Sequence, residues 1–154
     1  MRKERSGAKT NAKVLSIVGL ATTVFFTIMQ GVSLHRAYRD TAGDVNSSVD
    51  PTKVSVIVMG VMFIVFGNYL TKTRNNSIIG VRTTWSMYND ITWKKSIFFG
   101  AIALIVVGVI SIVTGALIRN SMVAIFLELG YLLVAVVAIM IYSYKAYITE
   151  KNKV

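Results

Sequence analysis

The sequence predicts an all-α integral membrane protein: a four-transmembrane-helix bundle forming a single membrane domain over residues 1–154, with N- and C-termini cytoplasmic. Three observations carry that prediction. Apolar residues make up 54% of the chain, and the mean hydropathy is +0.60. Charged residues are only 16%, where a soluble domain averages about 25%. The apolar residues also fall in four separate runs, each near the roughly 20 residues needed to cross hydrocarbon.

The first run, Val14 to Leu34, follows Arg2, Lys3, Arg5, Lys9 and Lys13. A cleavable signal would need an apolar stretch of about 7–15 residues and a small-residue cleavage site. This run is longer and lacks such a site, so it is expected to be a retained anchor. Gly19, Thr23, Thr27 and Gly31 recur every fourth residue and share one helix face. Small residues let another backbone come close in lipid. Two readings stand for that face: ordinary packing within the chain, or a seam between copies in a homo-oligomer.

The second run is Val54 to Leu70, the third Ile97 to Ile118 and the fourth Met122 to Tyr142. Runs this long without a polar face do not suit soluble helices. Ser111 and Gly115, with Gly100 and Gly108, give the third run its own small residues. Arg119, Asn120 and Ser121 alone join the third and fourth runs, which forces an antiparallel hairpin. Glu128 is the one formal charge inside any run. A carboxylate in lipid is costly and normally has a reason: it can reach Arg119 only by bending outward, stay protonated, or accept hydrogen bonds from Gln30 of the first run as a polar pair inside the bundle. A role for Glu128 in binding a partner or a proton is the alternative.

Lys and Arg set the orientation. They number thirteen in the N-terminal segment, the 71–96 segment and the C-terminal tail, against four in the 35–53 segment and the Arg119 turn. The chain is therefore expected to keep both termini and residues 71–96 inside. This arrangement accounts for most of the net charge of +10 through topology and anionic membrane lipids. Nucleic acid is not needed to explain it.

Residues 67–96 form a polar island between the second and third runs. Asn68 closes the second run, where it can bond the last helical carbonyls or a neighbouring helix. Lys72 and Arg74 fall at headgroup level. Asn75-Asn76-Ser77 is turn chemistry. Gly80, between Ile79 and Val81, suits a backbone with positive φ. Asn89 or Asp90 can cap a helix leading into the third run. Trp85, Tyr88 and Trp93 are aromatics of the interfacial type, with Trp85 and Tyr88 spaced to share a helix side.

Several chemistries are excluded or disfavoured. No cysteine is present and His35 is the sole histidine, so thiolate, disulfide and histidine-cluster metal chemistry have no residues to work with. The island supplies one carboxylate, Asp90, too few for a two-carboxylate hydrolase or a metal site. No nucleophile–base set or cofactor motif appears. The expectation is a protein that is not an enzyme, with no catalytic residues, metal or cofactor.

Gly67-Asn68-Tyr69-Leu70, Lys72-x-Arg74-x-Asn76, Gly80-Val81-Arg82-Thr83-x-Trp85-Ser86, Asn89 and Trp93-x-Lys95-Ser96 resemble the signature of the SdpI-type bacterial immunity proteins, the sporulation-delaying-protein immunity family. The resemblance covers about thirty residues. Thr84 stands where the family usually has Pro. The chain looks like a short, four-span version, and the resemblance implies a multi-pass protein of the bacterial cell membrane. It also implies protection of a cell against a secreted antimicrobial peptide, and in some members signalling by holding a transcription repressor at the membrane. A small transporter accessory subunit is a further alternative, although no internal repeat supports it. The residues carried over as signature or partner-binding positions are Asn68, Lys72, Arg74, Asn76, Gly80, Arg82, Thr83, Trp85, Asn89 and Trp93. The expected partners are membrane lipids, a peptide toxin and a cytoplasmic repressor.

Overall fold

The computed structural model describes residues 2–43, 50–74 and 80–153, with side chains from residue 8 onward. Four helices follow one another: α1 (Arg2–Thr41), α2 (Pro51–Leu70), α3 (Asp90–Leu117) and α4 (Ser121–Lys151). Each is long and apolar enough to cross a membrane, and no strand occurs among the described residues. The chain is an all-α, multi-pass membrane protein.

Three helix starts are written in the sequence. The Asp50 carboxylate accepts from the Thr52 N–H at 2.9 Å, and Pro51 fills the first helical position, where its missing N–H costs nothing. Asn89 accepts from the Thr92 N–H at 2.7 Å. Asn120 accepts from the Met122 and Val123 N–H groups at 3.0 and 3.3 Å. These caps satisfy donors that a helix start leaves orphaned.

The helices outrun the expected spans. α1 begins twelve residues before Val14 and ends seven after Leu34, and α4 continues nine beyond Tyr142. Hydropathy marks the part of a helix that lipid covers. It does not mark where the backbone ladder stops, and nothing in these flanks breaks a helix.

α2 and α3 form the tightest contact. A Cβ added to Gly60 would stand 2.6 Å from the Gly108 carbonyl oxygen, and one added to Gly108 would stand 2.5 Å from that of Gly60. A Cβ on Gly67 would meet the Ala101 oxygen at 2.6 Å. Gly60 and Gly67 lie seven apart, as do Ala101, Gly108 and Gly115. Seven residues are two turns, the repeat of helices crossing at a shallow angle. The facing pairs run in opposite order, so the helices are antiparallel.

α3 and α4 form the expected hairpin. Phe99 stacks on Tyr142 with ring centroids 4.2 Å apart, and the Thr114 and Tyr131 hydroxyls lie 3.1 Å apart. At the far end Ser121 donates to the Asp50 carboxylate, tying the start of α4 to the start of α2. That bond is the largest cause holding the Asp50 carboxyl below the ordinary aspartate range, and the Thr52 cap adds to it.

α1 packs on α2 and on no other helix. Asn11 brackets the Arg74 backbone, accepting from its N–H at 3.0 Å and donating to its carbonyl at 3.4 Å. The start of α1 therefore meets the end of α2, successive helices alternate in direction, and both termini lie at one end.

Two expectations are corrected here. Gln30 is exposed, whereas Glu128 is buried on α4. The two do not pair, because among the described residues α1 packs on α2 and does not reach α4. The Gly19–Gly31 face also packs against nothing within the chain: a Cβ on either glycine would meet no atom within 4 Å, and Thr23 and Thr27 are exposed. Those two hydroxyls donate to their own helix, to Gly19 O at 3.0 Å and Thr23 O at 2.9 Å. Val14 and Phe25, not the small residues, are the buried positions of α1. Elsewhere Leu34, Phe126, Leu133 and Val134 are about 70% exposed, an outer surface suited to lipid and not to water.

Candidate functional site

Residues 80–89 of the polar island fold onto α3 and α4. Gly80 has φ +122°, a conformation that glycine adopts at little cost. A Cβ there would run into Ile97 and would stand 2.9 Å from the far edge of the Trp93 ring. The chain can thus cross directly above Trp93, which is 1% exposed.

Three residues after Gly80, at Thr83, the backbone closes on itself through hydroxyls. The Thr83 N–H donates to Ser86 Oγ at 3.0 Å, and the Ser86 N–H donates to Thr83 Oγ1 at 3.0 Å. Ser86 Oγ also reaches the Val81 and Thr83 carbonyls at 2.5 and 3.0 Å. Such local side-chain bonds favour a turn over a helix. They explain why residues 84–87 form turns and why Trp85 and Tyr88 do not share a helix side as their spacing suggested.

The turn is then pinned to the hairpin. Thr83 Oγ1 lies 3.1 Å from Ser143 Oγ of α4, and Ser96 Oγ of α3 donates to the same Ser143 oxygen at 3.1 Å. Ser86, Ser96 and Ser143 are each 0% exposed. A buried hydroxyl left without a partner costs about 1–3 kcal/mol, so these groups hold one register of loop, α3 and α4. Around them Trp85 packs edge-on against Tyr144 at 5.1 Å and Tyr88 against Tyr147 at 5.0 Å. Lys95 donates to the buried Glu150 carboxylate at 2.7 Å, and Lys153 does so at 3.1 Å.

The expected site residues therefore separate into groups. Gly80, Thr83, Trp85, Asn89 and Trp93 build the island. Asn68, Lys72, Arg74 and Arg82 are exposed. Asn68 does not bond the last carbonyls of α2 through its side chain. Its own carbonyl accepts from the Thr71 hydroxyl at 2.8 Å. Lys72 lies over the Tyr69 ring, 4.4 Å from its centroid. Asn76 and the Asn75–Ser77 turn fall outside the described residues. Trp93 is a core side chain and not an interfacial anchor.

Glu128 sits apart from the island. It is 7% exposed and faces Ser111 of α3. Neither of its carboxyl oxygens has a hydrogen-bond partner, and the Ser111 hydroxyl donates to the Val107 carbonyl at 2.8 Å. Among the described residues no group of acids and histidine is placed to hold a metal ion.

Sequence reading quoted Ser86 and Ser96 within the resemblance but gave them no role, and it missed Ser143 and Glu150. Ser86 carries a local signal, a hydroxyl three residues after Thr83. Ser143 has no comparable signal, because its two partners are 47 and 60 residues away.

Neither the curated proteins nor the solved structures include a match to this chain. Residues 72–143 match the SdpI/YfhL protein family, a stretch that takes in the folded island, all of α3 and α4 as far as Ser143, the hydroxyl on which the island is pinned. Over that segment, 72 of its 154 residues, the chain is similar to the SdpI/YfhL protein family.

Proposed function

We propose that this protein protects a bacterial cell from a secreted, membrane-active antimicrobial peptide without catalysing a reaction. One observation carries the reading: the family match coincides with a single packed unit, in which the recognisable residues fix a loop onto an intramembrane hairpin. In this reading both termini and the island face the cytoplasm, where thirteen of the seventeen Lys and Arg residues would then lie. The peptide meets the bundle within the bilayer. The open Gly19–Gly31 face of α1 and the unpartnered carboxyl of Glu128 offer contacts there, and the island holds the hairpin that presents Glu128.

The test is survival. Cells sensitive to such a peptide are challenged with and without this chain, beside a Glu128→Gln variant expressed to the same level. Protection by the wild type, weakened in the variant, is the expected outcome. Equal killing with and without the chain, across peptides encoded beside it, would overturn the reading.

One observation favours a second reading, recruitment of a cytoplasmic repressor. Arg82 is exposed immediately before the hydroxyl-bonded Thr83–Ser86 turn, a position suited to a protein contact. Pull-down with the wild type and Arg82→Ala separates the two, since loss of a captured regulator without loss of survival belongs to signalling alone.

A further inference from the structure

Beside the island lies a cleft of about 1140 Å³ between the start of α1, the end of α2 and the start of α3. Its lining carries two chemistries. Lys72, Arg74, Lys94 and Lys95 are cationic and stand with the Asp90 carboxylate. Lys95 is engaged by Glu150, whereas Lys94 is exposed. Phe98 and Tyr142 are the aromatic side chains beside Trp93 in that lining, and Phe98 is 59% exposed on α3.

Trp93 forms part of the wall. Its indole N–H is buried and has no acceptor among the described residues. The cleft lies where the apolar part of α2 ends and that of α3 begins, the depth of lipid headgroups.

We propose that this cleft binds one acidic phospholipid. Its phosphate lies between Lys72 and Lys94, and an acyl chain runs along Phe98. The chemistry recognised is a phosphate oxyanion attached to an apolar chain. A bare phosphate would use only the cationic side chains and leave most of the volume empty. The proposal does not rest on the immunity reading, because it concerns only the occupant of this cleft.

The chain has two tryptophans, which makes the test direct. Trp85 packs on Tyr144 outside the cleft, so Trp85→Phe leaves Trp93 as the sole reporter. The full chain in neutral detergent is titrated with short-chain phosphatidylglycerol, short-chain phosphatidylcholine or sodium phosphate, and Trp93 emission is followed. A saturable change is expected with phosphatidylglycerol, at least tenfold weaker with phosphatidylcholine, and not reversed by millimolar phosphate. Lys72→Gln with Lys94→Gln should weaken it about tenfold. Lys145→Gln with Lys151→Gln, the same charge change away from the cleft, should alter it less than twofold. Native mass spectrometry of the wild type released from mixed-lipid nanodiscs, retaining one phosphatidylglycerol, gives a readout independent of the tryptophan variant. Equal weakening by the two pairs would reduce the effect to diffuse surface charge and overturn the site. Equal binding of phosphatidylcholine would remove the recognition of acidic phospholipid. Displacement by phosphate at matched concentration would make this a free-phosphate site and overturn the lipid assignment.

Discussion

α1 and the α2–α3 seam both carry small residues at regular intervals, and they use them in opposite ways. Along the seam, glycines seven apart bring two backbones so close that a single added carbon would strike a carbonyl oxygen. On α1, glycines and threonines four apart face outward with nothing against them. Small residues permit close approach but do not choose a partner. In lipid there is little hydrophobic drive between helices, so packing follows which surfaces interlock along their whole length. α2 and α3 interlock. α1 leans on α2 through Val14 and Phe25, and its small face is left over.

The comparison breaks most easily at its centre. Gly108→Leu or Gly60→Leu should destabilise the bundle by about 3 kcal/mol or more, the upper part of the range for overpacking, because the obstruction is backbone and cannot swing aside. Gly19→Leu should change the same quantity by no more than about 0.5 kcal/mol, as for an exposed position. Unfolding followed by circular dichroism in detergent compares them. A Gly19→Leu loss as large as that at Gly108 would mean that the α1 face is also closed.

The island sharpens the contrast, since it attaches to the closed half of the molecule. Gly80→Ala meets both a positive φ and the Ile97 and Trp93 side chains, and should cost about 1–3 kcal/mol. Its signature is a shift of Trp93 emission as the loop lifts, with α1 and α2 undisturbed. Asn89→Ala removes the α3 cap and should cost about 1 kcal/mol, read as a lower midpoint of unfolding. A cost near zero would mean that the island, and not its cap, starts α3.

The smallest effect concerns the opposite end of the bundle. The Ser121 bond holds the Asp50 carboxyl below its ordinary range, so the folded state favours the ionised form. That stabilisation is fully present above the ordinary aspartate pKa and is lost as pH falls through the lowered folded value. Asp50→Asn should therefore lower the unfolding temperature slightly at neutral pH, and the gap from wild type should close in acid. A gap that stays constant down to pH 3 would remove the carboxylate from the link between α2 and α4.

Much of this was legible beforehand. The four spans, the hairpin at Arg119–Ser121, the cap at Asn89 and the positive φ at Gly80 are local properties, readable from neighbouring residues. The misread residues are those whose partners lie far along the chain. Trp93 looked interfacial because its type suits an interface, yet Gly80 and Ile97 bury it. Glu128 had Gln30 as a candidate partner, yet α1 does not reach α4.

What the sequence determined alone is the membrane class, the number of crossings and the chemistry of the island, because hydrocarbon thickness and helix geometry leave few ways to satisfy so apolar a chain. Only the tertiary structure decided which small-residue face closes and which stays open, and that Ser143 is the point where loop and hairpin meet. Those outcomes depend on contacts 47 to 60 residues apart. No local pattern specifies such contacts, since hydroxyls and glycines look alike in sequence whether or not a partner reaches them.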